Sequence, residues 1–131
     1  MIDAKASSTR AIVLFAHGAR DPEWAGPVRR LAARLTERDP SVRAVPAFLE
    51  FMTPGLDAAV DALAEDGTGE ILVVPVFLAQ GGHLKRDVPV LVEAARARHP
   101  GIDIRLVAPV GEDDGVLDAM AEFALASLSD R

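Results

Sequence analysis

The amino-acid sequence predicts an α/β fold, a single domain on a four-stranded parallel sheet with helices on both faces. Three observations carry that expectation. Four short apolar, β-branched runs alternate with four stretches of helical periodicity along the 131 residues. The connections between them are short. The first run is apolar at every position, as expected of a strand covered on both sides. With right-handed crossovers, the order β-α-β-α-β-α-β-α has a simplest doubly wound solution, the flavodoxin-like strand order 2-1-3-4.

Residues 1–10 are polar and aperiodic and are expected to be a flexible N-terminus, leaving 11–131 as the domain. Ala11–Ala16 is the first strand, and it runs into His17-Gly18-Ala19-Arg20-Asp21-Pro22. Asp21 and Pro22 suit the N-cap and first position of a helix, with Trp24, Val28, Leu31, Ala32 and Leu35 on its buried stripe. That helix should stop near Arg38, before Asp39-Pro40. Val42–Leu49 reads as the second strand, and Pro46 within it demands an edge or a bulge. Thr53-Pro54 opens the second helix, which buries Leu56, Ala59, Val60 and Leu63, and Asp66-Gly67-Thr68-Gly69 turns the chain. Ile71–Phe77 is the third strand. The third helix is expected from a cap at Asp87, with Val88-Pro89 in its first turn, to about His99, where Pro100-Gly101 breaks it. Ile102–Val107 is the fourth strand, 109–114 a loop, and Gly115–Leu128 the last helix.

Composition narrows the function. A net charge of −6 argues against a nucleic-acid binder, because phosphate binding needs a basic surface. The chain has no cysteine, which removes disulfides, thiolate metal sites and cysteine nucleophiles together. Its first apolar run is far shorter than the ~20 residues of a membrane helix and lacks a cleavage pattern, so the expectation is a cytoplasmic protein without membrane contact. No phosphate-binding Gly-rich loop and no Gly-x-Ser-x-Gly elbow occurs.

Three residues suited to metal or acid–base chemistry stand where strands should end. His17, Glu50 and His83 are each 33 residues from the next, one β-α unit apart. In a 2-1-3 arrangement those strands are neighbours at ~4.8 Å, so two imidazoles and a carboxylate can converge on one point. Such a set suits a divalent first-row metal with open positions and supplies bases near neutral pH. Plainer readings stand beside each. His17 would cap backbone groups at a strand end, and Glu50 would be a solvated acid paired with an arginine. His83 follows Gly81-Gly82 in an exposed loop and has no packing reason to be there. Arg20, Lys85 and Arg86 flank the histidines, as ordinary surface charge or as partners for ligand carboxylates. Gly81 and Gly82 would let backbone approach a ligand closely. His99, at a helix end where a cation suits the dipole, reads as structural.

The segments Ala16-His17-Gly18-Ala19-Arg20-Asp21, Ala47-Phe48-Leu49-Glu50 and Pro75–Pro89 together resemble the small CbiX/SirB-type sirohydrochlorin chelatases, class II tetrapyrrole chelatases. The resemblance runs from Ala11 to about Leu128 and is most specific in the third segment. It departs at Ala19, where the family commonly has Ser; this removes no proposed ligand. The resemblance implies a lyase that inserts cobalt or iron, or nickel, into sirohydrochlorin on the way to cobalamin or sirohaem, with the metal as substrate and no permanent cofactor. It implies a homodimer that rebuilds the cleft between the two domains of larger relatives. His17 and His83 would hold the metal, and Glu50 would complete the site or accept a pyrrole proton. Arg20, Lys85 and Arg86 would meet the acid groups of the tetrapyrrole, and Phe77, Leu78, Leu84 and Met52 would line the macrocycle. The alternative is a metal- or tetrapyrrole-binding carrier without turnover.

Overall fold

β1 (Thr9–Ala16) lies at the centre of a sheet ordered β2-β1-β3-β4, with β2 (Val42–Phe48), β3 (Thr68–Pro75) and β4 (Asp103–Leu106) all parallel to their neighbours. The structure, a computed structural model, describes residues 9–129. Val13 and Phe15 of β1 and Val73 of β3 are wholly enclosed, which explains why these runs carry no polar position. Pro46 sits on edge strand β2 opposite Leu14, and the β1–β2 ladder runs through it without a register shift. The edge alone accommodates the proline, with no bulge.

α2 (Leu56–Glu65) and α3 (Gly82–Arg98) cover one face, where Leu56, Ala59, Val60, Leu63, Val88 and Val92 join the strand residues in the main core. α1 (Gly26–Arg38) covers the other through Val28, with Leu31, Ala32 and Leu35 half-buried beside Leu14 and Phe48. α4 (Asp114–Ser129) follows β4 but buries none of its residues; its contacts gather at its start, on the 3₁₀ turn Val110–Glu112.

Several boundaries differ from expectation for local reasons. β1 begins at Thr9, and β3 begins at Thr68 because Thr9 pairs with Thr68, drawing part of the expected turn into the sheet. The remaining residues expected to fray, 1–8, lie outside the described ones. Asp21 does cap, accepting from the Glu23 N–H at 3.0 Å, but it starts a 3₁₀ turn over Pro22–Ala25. The three-residue period of that turn buries Ala25 and leaves Trp24 70 % exposed, so Trp24 is not on the buried stripe. α2 starts at Leu56, since Pro54 gives its carbonyl to the Phe48 N–H at 2.9 Å and stays outside the helix. α3 starts at Gly82, with Gly81 as its extended cap, and Pro89 lies inside the helix. Asp87 therefore caps nothing and sits one turn into α3.

Candidate functional site

The ends of β1, β2 and β3 share one edge of the sheet, and the ladder between β1 and β2 continues beyond the strands. Leu49 N–H donates to the Ala16 carbonyl at 2.9 Å and Glu50 N–H to the His17 carbonyl at 3.1 Å. The two chains thus stay in step for two more residues, which brings the side chains of His17 and Glu50 together. Gly18 makes that approach possible. Its φ is +91°, and a Cβ there would lie 2.0 Å from the Glu50 carbonyl oxygen. No residue with a side chain satisfies both conditions. The result is a hydrogen bond from the His17 Nε2–H to Glu50 Oε1 at 2.8 Å, with both side chains about half exposed.

His83 arrives differently. Residues 76–81 separate β3 from α3, and His83 occupies the first turn of that helix, 84 % exposed. Its Nε2 lies 3.8 Å from Asp87 Oδ2, one helical turn on. The loop before it is held from both sides. Val76 N–H donates to the Phe15 carbonyl at 2.8 Å and Gly111 N–H to the Phe77 carbonyl at 3.0 Å. A Cβ on Gly111 would lie 1.8 Å from the Leu78 carbonyl oxygen, so the β4–α4 connection presses directly on this loop.

His17, Leu49, Glu50, Gly81, His83, Leu84 and Asp87 line one open pocket of about 480 Å³. The arrangement is two pairs across a pocket, His17 with Glu50 and His83 with Asp87. Among the described residues no three His, Asp or Glu side chains come close enough to hold one ion together. The expected convergence of three residues on a point is thus met for His17 and Glu50 alone. Six connecting residues and a helix start carry His83 away from the strand-end plane.

The other expected contacts divide. Arg20 reaches back over the Phe51 ring, its guanidinium carbon 4.7 Å from the centroid, a cation–π contact to the residue that follows Glu50. Phe51 is exposed and has φ +67°, a left-handed conformation that costs a side-chain-bearing residue of order 1 kcal/mol. Lys85 and Arg86 stand exposed on the first two turns of α3, and among the described residues neither forms an ion pair. Gly81 and Gly82 face open space. Leu84 is half-buried in the pocket wall. Phe77 departs from expectation: at 8 % exposure it belongs to the main core, its ring 6.2 Å from that of Phe15, and it is not among the residues that line this pocket. β3 ends at Pro75, and the residue two places on still follows the strand's inward alternation. Met52 is half-buried on the α1 side, and Leu78 is exposed. His99 is structural as expected: it bonds Asp61 of α2 at 2.6 Å from the far end of α3.

Two residues that line the pocket were not expected there, Asp87 and Leu49, nor was the stacking of Arg20 on Phe51. Asp87 would have been found from its spacing of four from His83, had the helix been started at Gly82. Phe51 gave no periodic signal; only its place beside Glu50 set it apart.

Comparison with known proteins places this geometry among relatives. The CbiX family pattern matches residues 11–125. A sirohydrochlorin cobaltochelatase of Sulfolobus acidocaldarius is 32 % identical over 118 residues, which are 90 % of this chain and 92 % of that protein. Two Priestia megaterium proteins, a sirohydrochlorin cobaltochelatase and a sirohydrochlorin ferrochelatase, are 26 % and 27 % identical over 85 % and 86 % of the chain. The chain spans only 36 % and 42 % of their lengths. A CbiX protein from Marinobacter aquaeolei, described as a cobalamin biosynthesis protein, superimposes with a TM-score of 0.82 at 34 % identity. The match covers 93 % of this chain and 99 % of that one. The sirohydrochlorin chelatase SirB from Bacillus subtilis, solved with cobalt, gives a TM-score of 0.69 at 28 % identity, over 87 % of this chain and 49 % of its own.

Proposed function

The chain belongs to the CbiX family, and on that premise we propose that it is a sirohydrochlorin chelatase, inserting cobalt or iron into a polycarboxylate tetrapyrrole. The observation that carries the reading is the 2.8 Å contact between His17 and Glu50 across an open pocket from His83 and Asp87. A metal that is substrate has to be held and then surrendered. Two ligands on one wall of an open pocket leave positions for water and for ring nitrogens.

In this reading His17 and Glu50 take the ion from solution, and His83, across the pocket, turns toward it as the ring arrives. As the ring nitrogens enter the coordination sphere, the protein ligands leave it. Insertion of a divalent ion releases two pyrrole protons, and Glu50 or a histidine freed from the metal accepts them. Phe51, with Arg20 stacked on it, offers a flat apolar face beside the metal ligands. Lys85, Arg86 and the N-terminal end of α3 favour the acid groups of the ring's edge.

The open pocket also suits a site completed by a second copy. The Priestia megaterium relatives are more than twice as long as the matched segment, while the Marinobacter protein is of this chain's size. A homodimer would supply the missing wall. Among the described residues no helix is long and apolar enough to cross a membrane, in keeping with a cytoplasmic enzyme working on free substrates.

The test is an absorbance assay of sirohydrochlorin with cobalt, iron and nickel in parallel. His83→Ala is expected to fall to the spontaneous rate while far-UV circular dichroism is unchanged, since His83 packs against nothing. Wild-type turnover in that variant would sink the mechanism. Saturable metal binding without any rate above the spontaneous one in the wild-type protein would identify a carrier instead.

A further inference from the structure

The His83 side chain has no hydrogen bond to hold it. Its Nε2 lies 3.8 Å from Asp87 Oδ2, beyond hydrogen-bond range, and the ring is 84 % exposed. The ring therefore goes where the first turn of α3 carries it. That turn has little packing of its own. Leu84 is half-buried, Val88 is the first fully buried residue of the helix, and the Gly81 cap makes no side-chain hydrogen bond. Its place depends on residues 76–81, which join it to the sheet.

Val76 still follows the sheet, donating to the Phe15 carbonyl at 2.8 Å. Past it the backbone meets the connection between β4 and α4. Gly111 N–H donates to the Phe77 carbonyl at 3.0 Å, and the Gly111 Cα lies flush against the next peptide. A Cβ on Gly111 would meet the Leu78 carbonyl oxygen at 1.8 Å, its carbonyl carbon at 2.4 Å and its Cα at 2.5 Å. All three are backbone atoms, so no rotamer change relieves the contact. Real Cβ contacts begin at about 3.0 Å, so one side must yield by roughly 1.2 Å.

The β4–α4 turn is the stiffer side. Glu112 N–H bonds the Pro109 carbonyl at 3.0 Å, and Asp113 N–H the Val110 carbonyl at 3.1 Å. Pro109 is buried, and the Asp113 carboxylate holds the start of α4 by accepting from the Val116 N–H at 3.1 Å. Among the described residues, 77–80 make no backbone hydrogen bond to one another. The loop is the part that moves.

We infer that Gly111 is a positioning residue: by admitting the Leu78 peptide, it sets where His83 stands across from His17 and Glu50. The inference rests on the chelatase reading and extends it to a residue outside the pocket lining. Gly111 acts on one wall alone. His17 and Glu50 are placed by the β1–β2 ladder and Gly18, which the β4–α4 turn does not touch. The same substitution therefore separates capture of the ion from its transfer.

The test is the sirohydrochlorin absorbance assay with cobalt, beside calorimetry of cobalt without tetrapyrrole, on the full chain. Misplacing reacting groups by ~1 Å costs on the order of a hundredfold, and the loop absorbs part of the shift, so folded Gly111→Ala is expected to lose at least about tenfold in kcat. Its KM for cobalt and its calorimetric cobalt affinity are expected within about twofold of wild type. A glycine that only supported the fold would leave the kcat of the folded variant unchanged, and that result overturns the proposal. Loss of cobalt affinity in step with kcat also overturns it, because the disturbance would then reach both walls. Should Gly111→Ala not fold, Pro109→Gly loosens the same turn without adding an atom. The same split is expected there, and an unchanged kcat overturns the proposal. A wild type that inserts no metal would remove the chelatase reading. The placement of the loop is then decided by the amide NMR signals of Gly81, Gly82 and His83. These are expected to shift in either variant, and unmoved signals overturn the role of Gly111.

Discussion

Replacing Gly18 by alanine tests whether the backbone places the proposed metal ligands, His17 and Glu50. The new Cβ would start 2.0 Å from the Glu50 carbonyl oxygen, whereas real Cβ contacts begin at about 3.0 Å. Glu50 or the His17 turn must then yield by about 1 Å or more. The obstacle is backbone, held by the Glu50 N–H bond to the His17 carbonyl, so no side-chain rotation relieves it. The φ of +91° adds a conformational penalty of about 1–2 kcal/mol for any residue with a Cβ. The 2.8 Å contact between His17 and Glu50 cannot survive a displacement of that size. Misplacing reacting groups by ~1 Å costs on the order of a hundredfold in rate. The expected result is a loss of about that size in metal insertion, with urea unfolding showing a stability loss of about 2 kcal/mol. Gly101→Ala is the matched control, because its Cβ would meet nothing within 4 Å and its φ is ordinary. It should match the wild type in both measurements. A Gly18→Ala protein with wild-type insertion rate and stability would refute the argument that this approach fixes the ligands.

Phe51 and Asp61 lead to two more expectations. Phe51→Gly relieves the left-handed strain and should leave stability unchanged or raise it by up to about 1 kcal/mol in urea unfolding. The same variant should raise KM for the tetrapyrrole several-fold by removing the stacked face; an unchanged KM would remove Phe51 from the site. At Asp61, the hydrogen bond from His99, and then the one from Arg98, hold the carboxyl below the usual carboxylate range. A lowered folded value means that Asp61 stabilises the protein above its unfolded pKa, near pH 4. That contribution fades as pH falls through the folded value. The stability gap between wild type and Asp61→Asn should therefore be present at pH 7 and close below about pH 4. A gap that persists at pH 2 would contradict that assignment.

The sheet was legible in the sequence because its strands are buried on both faces, so Val13, Phe15, Ile71 and Val73 sit in runs without a polar break. The strand order followed from short connections and crossover handedness, and Pro46 marked the edge in advance. Helix starts were harder. Gly81 and Gly55 cap α3 and α2 with backbone conformation and no side-chain hydrogen bond, so of the residues that look like caps Asp87 pointed too late and Thr53 too early. That error hid Asp87 from the site and put His83 in a loop. Phe77 misled because inward alternation continues two residues past the end of β3 at Pro75. The leucines of α4 look like those of any core-facing helix; sequence periodicity reports that a helix has an apolar side but not whether the fold buries it.

Among the described residues the candidate ligands stand as two pairs and form no closed three-ligand cage. A tetrahedral site with every position filled by protein holds its ion as structure. A carrier of metal to a macrocycle needs the opposite: weak anchorage, open positions, and bases that become available as the ion departs. His17 and Glu50 meet that need together, since the hydrogen bond between them can satisfy both groups whenever no ion is present. Neither group is then left unpaired before loading or after release. In the proposed mechanism His83 acts on the other side of the transfer. It stands on a helix whose preceding loop is fixed by Gly111, and it packs against nothing that would hinder its turning toward metal or ring. The rigid pair would thus capture and the exposed histidine escort. On that division of labour, His17→Ala should weaken metal binding in the absence of tetrapyrrole, measured by calorimetry, by at least tenfold. His83→Ala should weaken it less while abolishing insertion. Equal losses of binding in the two variants would show that the ion is held by both walls at once.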